Sequence, residues 1–509
     1  MNYYYIIPLL MCVCLVGCRV GPQYHPPCVE APQQWKNDNT AEAIQHPLPP
    51  ISFWWEVFQD DVLNDLEVQA IMANPDLFIA MARVEEAWAV AGIRRADLFP
   101  KLNLNPSYSS TGILYKAFIP PGLPFGNQVP DTFRIHQMQY NLPLNMIYEV
   151  DLWGKYRSQY ESAFDNAQAQ EEAYQTVLLT LTSNLASSYY HVRFLDAVTQ
   201  LLLDTIHARR NAYNILKTRY DKGLINFGDV ANAALELTNT ESEYYEVMRQ
   251  RGLQENIIAT LIGVPASDFE ICYAPFLEIP PAIPAGIPSR VLQRRPDIAQ
   301  AEREMASEHA QVNVAHASFY PDLELTGTLG FSSPVLKDFL TWKSRLWSIG
   351  ANVAQTVFDA GRKTSDLEAA WARFDQASGT YQKQVLVAFQ EVEDALNDLE
   401  FKAKQSESLK ASVSSATQAT QIASNRYKQG LVSYIDVVYN ERSQIDVQRN
   451  YVGVLRERYQ ATIRLIKALG GCWDQGDSVP LEPLPKGMNP LDSHYGKVLK
   501  NSISYAPTI

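Results

Sequence analysis

Arg219-Tyr220-Asp221-Lys222-Gly223-Leu224, followed by Asp229-Val230, returns as Arg426-Tyr427-Lys428-Gln429-Gly430-Leu431, followed by Asp436-Val437. Every position of the second copy stands 207 residues after its counterpart. Each copy closes a long stretch suited to helix. Lys155 to Lys222 contains neither Gly nor Pro, and Arg362 to Gln429 contains no Pro and only Gly379. A helix of that length reaches about 100 Å at roughly 1.5 Å per residue. Gly223 and Gly430 supply the left-handed residue that ends such a helix. Asp229 and Asp436 then sit where a returning helix begins, and Asp favours the N-cap. The spacing predicts two long helical hairpins, one per half, with Gly-Leu at each tip.

The duplication continues outward. Asn74-Pro75-Asp76-Leu77 opens a helix whose Ala80, Val84, Ala87 and Ala91 share a face, and Phe99-Pro100 ends it. Arg295-Pro296-Asp297-Ile298 and Tyr320-Pro321 bound its counterpart 221 residues later. The larger offset places 14 extra residues in the first half, in the Gly- and Pro-rich stretch around Ile119 to Pro130.

Between these helices the period changes to two. Met138, Tyr140, Leu142, Leu144 and Met146 alternate with polar residues, as do Leu323, Leu325, Leu329 and Phe331, then Trp347, Ile349, Ala351 and Val353. Leu102 and Leu104 open a fourth strand. Strands of about ten residues with one apolar and one polar face fit a membrane barrel. Four of them are too few to close one, since the smallest closed barrels have about eight. Open edges are not tolerated in lipid, so several chains must share a barrel.

Tyr3 to Gly17 is apolar but short for a bilayer span and fits a secretory signal. Leu15-Val16-Gly17-Cys18 has the form of a bacterial lipobox, making Cys18 the expected lipid attachment point. The Pro-rich stretch from 19 to 50 reads as an extended tether, and the Pro-containing segment beyond Trp473 as an irregular tail. The net charge of −13 argues against a nucleic-acid partner. Six cysteines in 509 residues are no disulfide framework. Sequence motifs for zinc hydrolysis, phosphate cradling or a serine nucleophile are missing. His309 and His316, seven apart, read as two polar helix residues. On the long helices, Leu178, Leu181, Leu185 and Tyr189 form an apolar stripe, while Glu171, Glu172, Arg209 and Arg210 are expected on the wet side.

Several motifs carry a resemblance. They are the lipobox with Gly21-Pro22-Gln23-Tyr24, the run Tyr148-Glu149-Val150-Asp151-Leu152-Trp153-Gly154-Lys155, Ile283-Pro284-Ala285-Gly286-Ile287-Pro288-Ser289, Arg294-Arg295-Pro296-Asp297, and Gln355-Thr356-Val357-Phe358-Asp359-Ala360-Gly361-Arg362. On these the chain resembles the TolC family of outer membrane efflux proteins, in its NodT-type lipoprotein branch. The resemblance implies a mixed α and β membrane protein. In it, a homotrimer shares a twelve-stranded outer membrane barrel continued by a periplasmic helical barrel. It implies no catalysis, no cofactor beyond covalent lipid on Cys18, and partners in a periplasmic adaptor and an inner-membrane resistance-nodulation-division pump. The expected divisions are signal 1–17, tether 18–50, first repeat 51–270, linker 271–290, second repeat 291–473 and tail 474–509.

The hairpin tips Gly223, Leu224, Gly430 and Leu431 are the expected adaptor-docking points. Asp229, Tyr427 and Asp436 are the expected periplasmic gate. The resemblance places Asp229 and Tyr427 where such channels use an inter-helix hydrogen bond. It departs at Val432, where the best-known member carries an arginine. Two other readings stand beside the efflux channel: a structural coiled-coil lipoprotein, and an exit duct for type I protein secretion. Alternating strands count against the first.

Overall fold

The structure is a computed structural model that describes residues 19–27, 31–36, 53–116, 132–275, 278–283 and 294–471. The expected signal, Cys18, the Ile119 to Pro130 loop, Cys28, Cys472 and the tail lie outside these residues. The helices are α1 (Asp61–Ala73), α2 (Pro75–Ala96), α3 (Lys155–Asp221), α4 (Phe227–Leu261), α5 (Pro296–Ala317), α6 (Arg362–Lys428) and α7 (Tyr434–Ala468). The strands are β1 (Lys101–Leu104), β2 (Ser107–Lys116), β3 (Thr132–Val150), β4 (Asp322–Ser333) and β5 (Arg345–Ala354). The duplication is exact in length: α2 and α5 have 22 residues each, α3 and α6 have 67, and α4 and α7 have 35.

The chain divides into two compact units. One holds the strands with the adjoining helix ends, covering 86–167 and 303–378 together with residues 19–26. Its sheet is antiparallel, with β3 between β4 and the interrupted pair β1 and β2, and β5 beyond β4. The two-residue period is realised in the register. Leu144 faces Leu329, which faces Trp347. One step along, Asn145 faces Thr328 and accepts its hydroxyl at 2.9 Å. Asn141 likewise accepts from Ser332 at 2.8 Å. The apolar row is well exposed, with Trp347 67% and Ile349 86% accessible, so this face is built to meet an apolar medium. Gly330 is required opposite Pro143, because a Cβ there would lie 2.1 Å from the Leu142 carbonyl oxygen.

In this unit, residues 19–25 lie along the helix ends rather than free of them. Val20 donates to the Trp153 carbonyl at 3.1 Å, Arg19 pairs with Glu161, and the Tyr24 ring packs tilted against His309 at 5.4 Å. His309 of α5 is buried, with its ring packed between Tyr24 and Phe374.

The second unit holds the hairpins together with α1 and the first half of α2. Trp35 is buried edge-on against Phe389, and the Lys36 amide donates to Glu393 at 2.7 Å. Asp60 caps α1 by accepting from the Val62 and Leu63 amides, and Tyr189 of α3 donates to its other oxygen at 2.6 Å. Asn74 accepts from the Asp76 and Leu77 amides at the start of α2 and donates to the Leu261 carbonyl of α4 at 2.8 Å. Pro75 occupies the first helical turn, where its missing N–H costs nothing. At the equivalent position of the second repeat, Arg295 is buried and binds Asp297 and Glu391, both at 2.6 Å. It also donates to the Ala468 carbonyl of α7 at 3.1 Å.

A buried charge network pins the segment after α4. Asp196 of α3 is fully buried and meets Arg251 of α4 at 2.6 Å and Arg193 at 3.3 Å. Those arginines hold the carbonyls of Ile271 at 2.8 Å and Cys272 at 2.7 Å, and Asp196 accepts from the Ala274 amide at 3.1 Å.

Glu67 of α1 is the exception to paired burial. It is wholly buried, and among the described residues neither carboxylate oxygen has a hydrogen-bond partner. Burial alone holds its pKa well above the ordinary 4.5. The folded-state value is raised above the unfolded one. Stability is therefore fully present below about pH 4.5 and is lost as pH rises toward the folded value. The loss is about 1.4 kcal/mol for each pH unit in that window. Glu67→Gln removes this titration. We expect its melting temperature to exceed that of the native chain by a margin that widens with pH above about 4.5. Thermal melts of both proteins across pH check it, and a constant margin would refute it.

Candidate functional site: the two hairpin tips

The tips are built by local chemistry. Gly223 and Gly430 adopt φ of +72° and +75°. In the first tip the Leu224 amide donates to the Arg219 carbonyl at 3.0 Å and the Gly223 amide to Tyr220 at 2.7 Å. In the second, Leu431 donates to Arg426 at 3.0 Å and Gly430 to Tyr427 at 2.9 Å. This is the double hydrogen bond that ends a helix on a left-handed residue. Leu224 and Leu431 are thrown outward, 69% and 68% exposed.

The returning helices start three residues earlier than the aspartates suggested. Asn226 and Ser433 take the N-cap positions in extended conformation. Asn226 accepts from the Asp229 amide at 3.2 Å. Asp436 accepts from the Ser433 amide at 2.9 Å and its hydroxyl at 2.8 Å. Asp229 and Asp436 are therefore third-position residues and not caps. A short Asn or Ser side chain already satisfies the cap, and a carboxylate one turn in still gains from the helix dipole.

Tyr427 is half-buried, with its ring 5.5 Å from Tyr434 and the Arg219 guanidinium 5.9 Å away. Its hydroxyl is buried without a partner among the described residues. The structure does not bring Tyr427 and Asp229 into a hydrogen bond within one chain. Leu216, Val230, Ala233, Tyr434, Val437 and Val438 form an apolar cluster that joins the two tips, with Tyr213, Ile225 and Tyr427 packed on it.

Above this cluster lies an ionic tie that the sequence pattern did not reveal. Arg209, expected on the wet side of α3, is buried against Glu236 at 3.1 Å and donates to the Glu236 carbonyl and the Thr240 hydroxyl. Arg442 of α7 binds the other carboxylate oxygen of Glu236, and Arg449 of α7 binds Glu243. Glu236 and Thr240 continue the buried face of Val230 and Ala233, and a carboxylate on that stripe was the available signal. Burial raises the pKa of neighbouring Glu441, with Arg209 pulling against it.

Comparison with known proteins decides the family. The model of the outer membrane efflux protein family matches residues 66–264 and 287–471. The chain belongs to that family. The double match follows the internal duplication. The pyoverdine export outer membrane protein OpmQ of Pseudomonas aeruginosa is 30% identical over 91% of this chain and 95% of its own. The probable outer membrane lipoprotein SilC of Salmonella typhimurium is 28% identical over 90% and 96%. The solved outer-membrane channel OprN superposes with a TM-score of 0.80 at 28% identity, covering 90% of this chain and all of its own. The fold class is that of the trimeric TolC-like channels, and the protein is an outer membrane efflux channel. No described helix is long and apolar enough to cross a membrane.

Proposed function

We propose that this efflux protein works as a homotrimeric passive duct without catalytic activity. An inner-membrane resistance-nodulation-division pump feeds it through a periplasmic adaptor, and it is lipidated at Cys18. The observation that carries the reading is the sheet. It is four strands wide with an exposed apolar face, and β1 with β2 on one side and β5 on the other are edges without a partner among the described residues. Three copies supply a closed barrel, whereas one leaves edges that lipid forbids. Small molecules are the cargo; OpmQ is named for pyoverdine, and the class carried here is open to screening.

The Leu224 and Leu431 tips dock the adaptor, because they are exposed apolar side chains on rigid helix ends. Asp229 and Asp436 place two carboxylates per chain beside the tips, giving a ring that favours cations. Tyr427 completes the gate with them, its ring packed on the cluster that joins the two tips.

Purified protein should migrate as a heat-sensitive trimer on gels of unboiled samples and conduct in planar bilayers without nucleotide. Monomers that conduct nothing would refute the duct. Cys18→Ser should still trimerise, and mass spectrometry of the native N-terminal peptide should find acyl chains on Cys18. Asp436→Asn should lower cation selectivity in the same bilayers.

A further inference from the structure

The loop between β4 and β5 bends back over one face of the sheet. In the register, Tyr140, Leu142 and Leu144 share that face with Phe331, Arg345 and Trp347. In an outer membrane barrel the apolar face turns to lipid and the polar face to the lumen. The Phe339 ring of the loop packs against Tyr140 at 6.0 Å, and the Arg345 guanidinium lies over the Trp342 ring at 4.6 Å. Ser333, opposite Tyr140 on the same face, is only 4% exposed. The loop is therefore folded onto the lipid-facing side. It is also held in one shape. Leu336–Asp338 and Trp342–Ser344 each form a short 3-10 turn, and the Thr341 and Ser344 hydroxyls both donate to the Asp338 carbonyl at 2.7 Å.

This loop carries exposed apolar and basic side chains together. Leu336, Leu340 and Trp342 are exposed, Trp342 at 75%. Beside them stand Lys337, Lys343 and Arg345, all exposed, and among the described residues none of the three forms an ion pair. Three cations against the single carboxylate of Asp338 make the loop basic in a chain whose net charge is −13. β4 follows α5 and β5 precedes α6, so the loop joining the strands lies at the end of the sheet away from the helices. With the helices in the periplasm, that end lies in the cell-surface leaflet, which is built of phosphorylated glycolipid.

We propose that the β4–β5 loop binds the phosphates of an outer-leaflet glycolipid through Lys337, Lys343 and Arg345, with Trp342, Leu336 and Leu340 seated where headgroup meets acyl chain. Trp favours that depth because its ring is apolar and its N–H polar. Clustered Lys and Arg beside an apolar anchor attract anionic headgroups. The site continues the lipid-facing row, since Arg345 and Trp347 are neighbours on one face of β5. A soluble anion would leave the apolar side chains in water.

The test uses full-length protein purified as trimers in non-ionic detergent. Native mass spectrometry with added lipid A, an acylated glucosamine disaccharide bearing two phosphates, should show bound lipid. The variant Lys337→Gln/Lys343→Gln/Arg345→Gln should bind it at least about tenfold more weakly. Lipid A stripped of its phosphates should not distinguish the two proteins. Equal affinity of both proteins for lipid A would overturn the proposal. So would displacement of lipid A by inorganic phosphate, the mark of a site for a free anion. Unboiled gels check that the variant assembles. Where it does not, Lys337→Gln/Lys343→Gln decides on the same criterion, because it spares the Arg345–Trp342 contact. A second measurement places the apolar anchor. Native and Trp342→Phe proteins are reconstituted in vesicles of lipid A and phosphatidylcholine brominated on its acyl chains. The emission lost to bromine should be larger for the native protein. Equal loss would put Trp342 in water, or under a second copy or another protein, and would refute the lipid seat.

Discussion

Replacing Asp196 with alanine should destabilise the protein by about 3–5 kcal/mol, because it leaves buried Arg193 without its carboxylate and Arg251 with Glu255 alone. Asp196 has no exposed surface and takes Arg251 and Arg193 at 2.6 and 3.3 Å. Those arginines position the Ile271 and Cys272 carbonyls, so the loss spreads to the segment that leaves α4. The expected signs are a large fall in the dissociation temperature of the trimer and protease cleavage near Tyr273. Asp196→Asn keeps an acceptor for the Ala274 amide and should fall between the two. An alanine variant that melts like the native protein would show that water or Glu255 compensates; Glu255 already binds Arg251 at 2.6 Å.

Leu224→Asp combined with Leu431→Asp should abolish export while trimers remain intact. Both side chains are about two-thirds exposed and neither belongs to the cluster that joins the tips, so folding loses little. A charge at the centre of an apolar docking contact costs about 2 kcal/mol or more per site, the scale of a binding hot spot. The measurement is complementation of a host strain deleted for this protein, scored on compounds to which the deletion confers sensitivity. Unboiled gels confirm the trimer in parallel. Full complementation by the double variant would show that the adaptor docks elsewhere.

Much of the fold was legible because it is set by local chemistry. A Gly at the end of a long run without Pro or Gly ends a helix by its own backbone freedom, and both tips formed at Gly223 and Gly430. Asn74-Pro75 and Arg295-Pro296 opened α2 and α5, and the alternation around Leu144 and Leu329 became the β3–β4 register. Where two nearby residues compete for one local role, the reading slipped. Asn226 and Ser433 cap α4 and α7, and the aspartates three residues on do not.

By itself the sequence determined the duplication, the long hairpins with their Gly-Leu tips, and the strands with one apolar face. Period, turn chemistry and chain length suffice for these. Only the tertiary structure decided which polar groups are buried. Arg209 looks like any wet helix residue until Glu236, 27 residues away, and Arg442, on the other hairpin, close around it. Glu67 looks like a surface carboxylate until α1 is packed. Tyr220 with Phe227 and Tyr427 with Tyr434 occupy matched positions, yet one pair is exposed and the other covered. Burial is a property of what arrives from elsewhere in the chain, and a duplicated sequence does not repeat it.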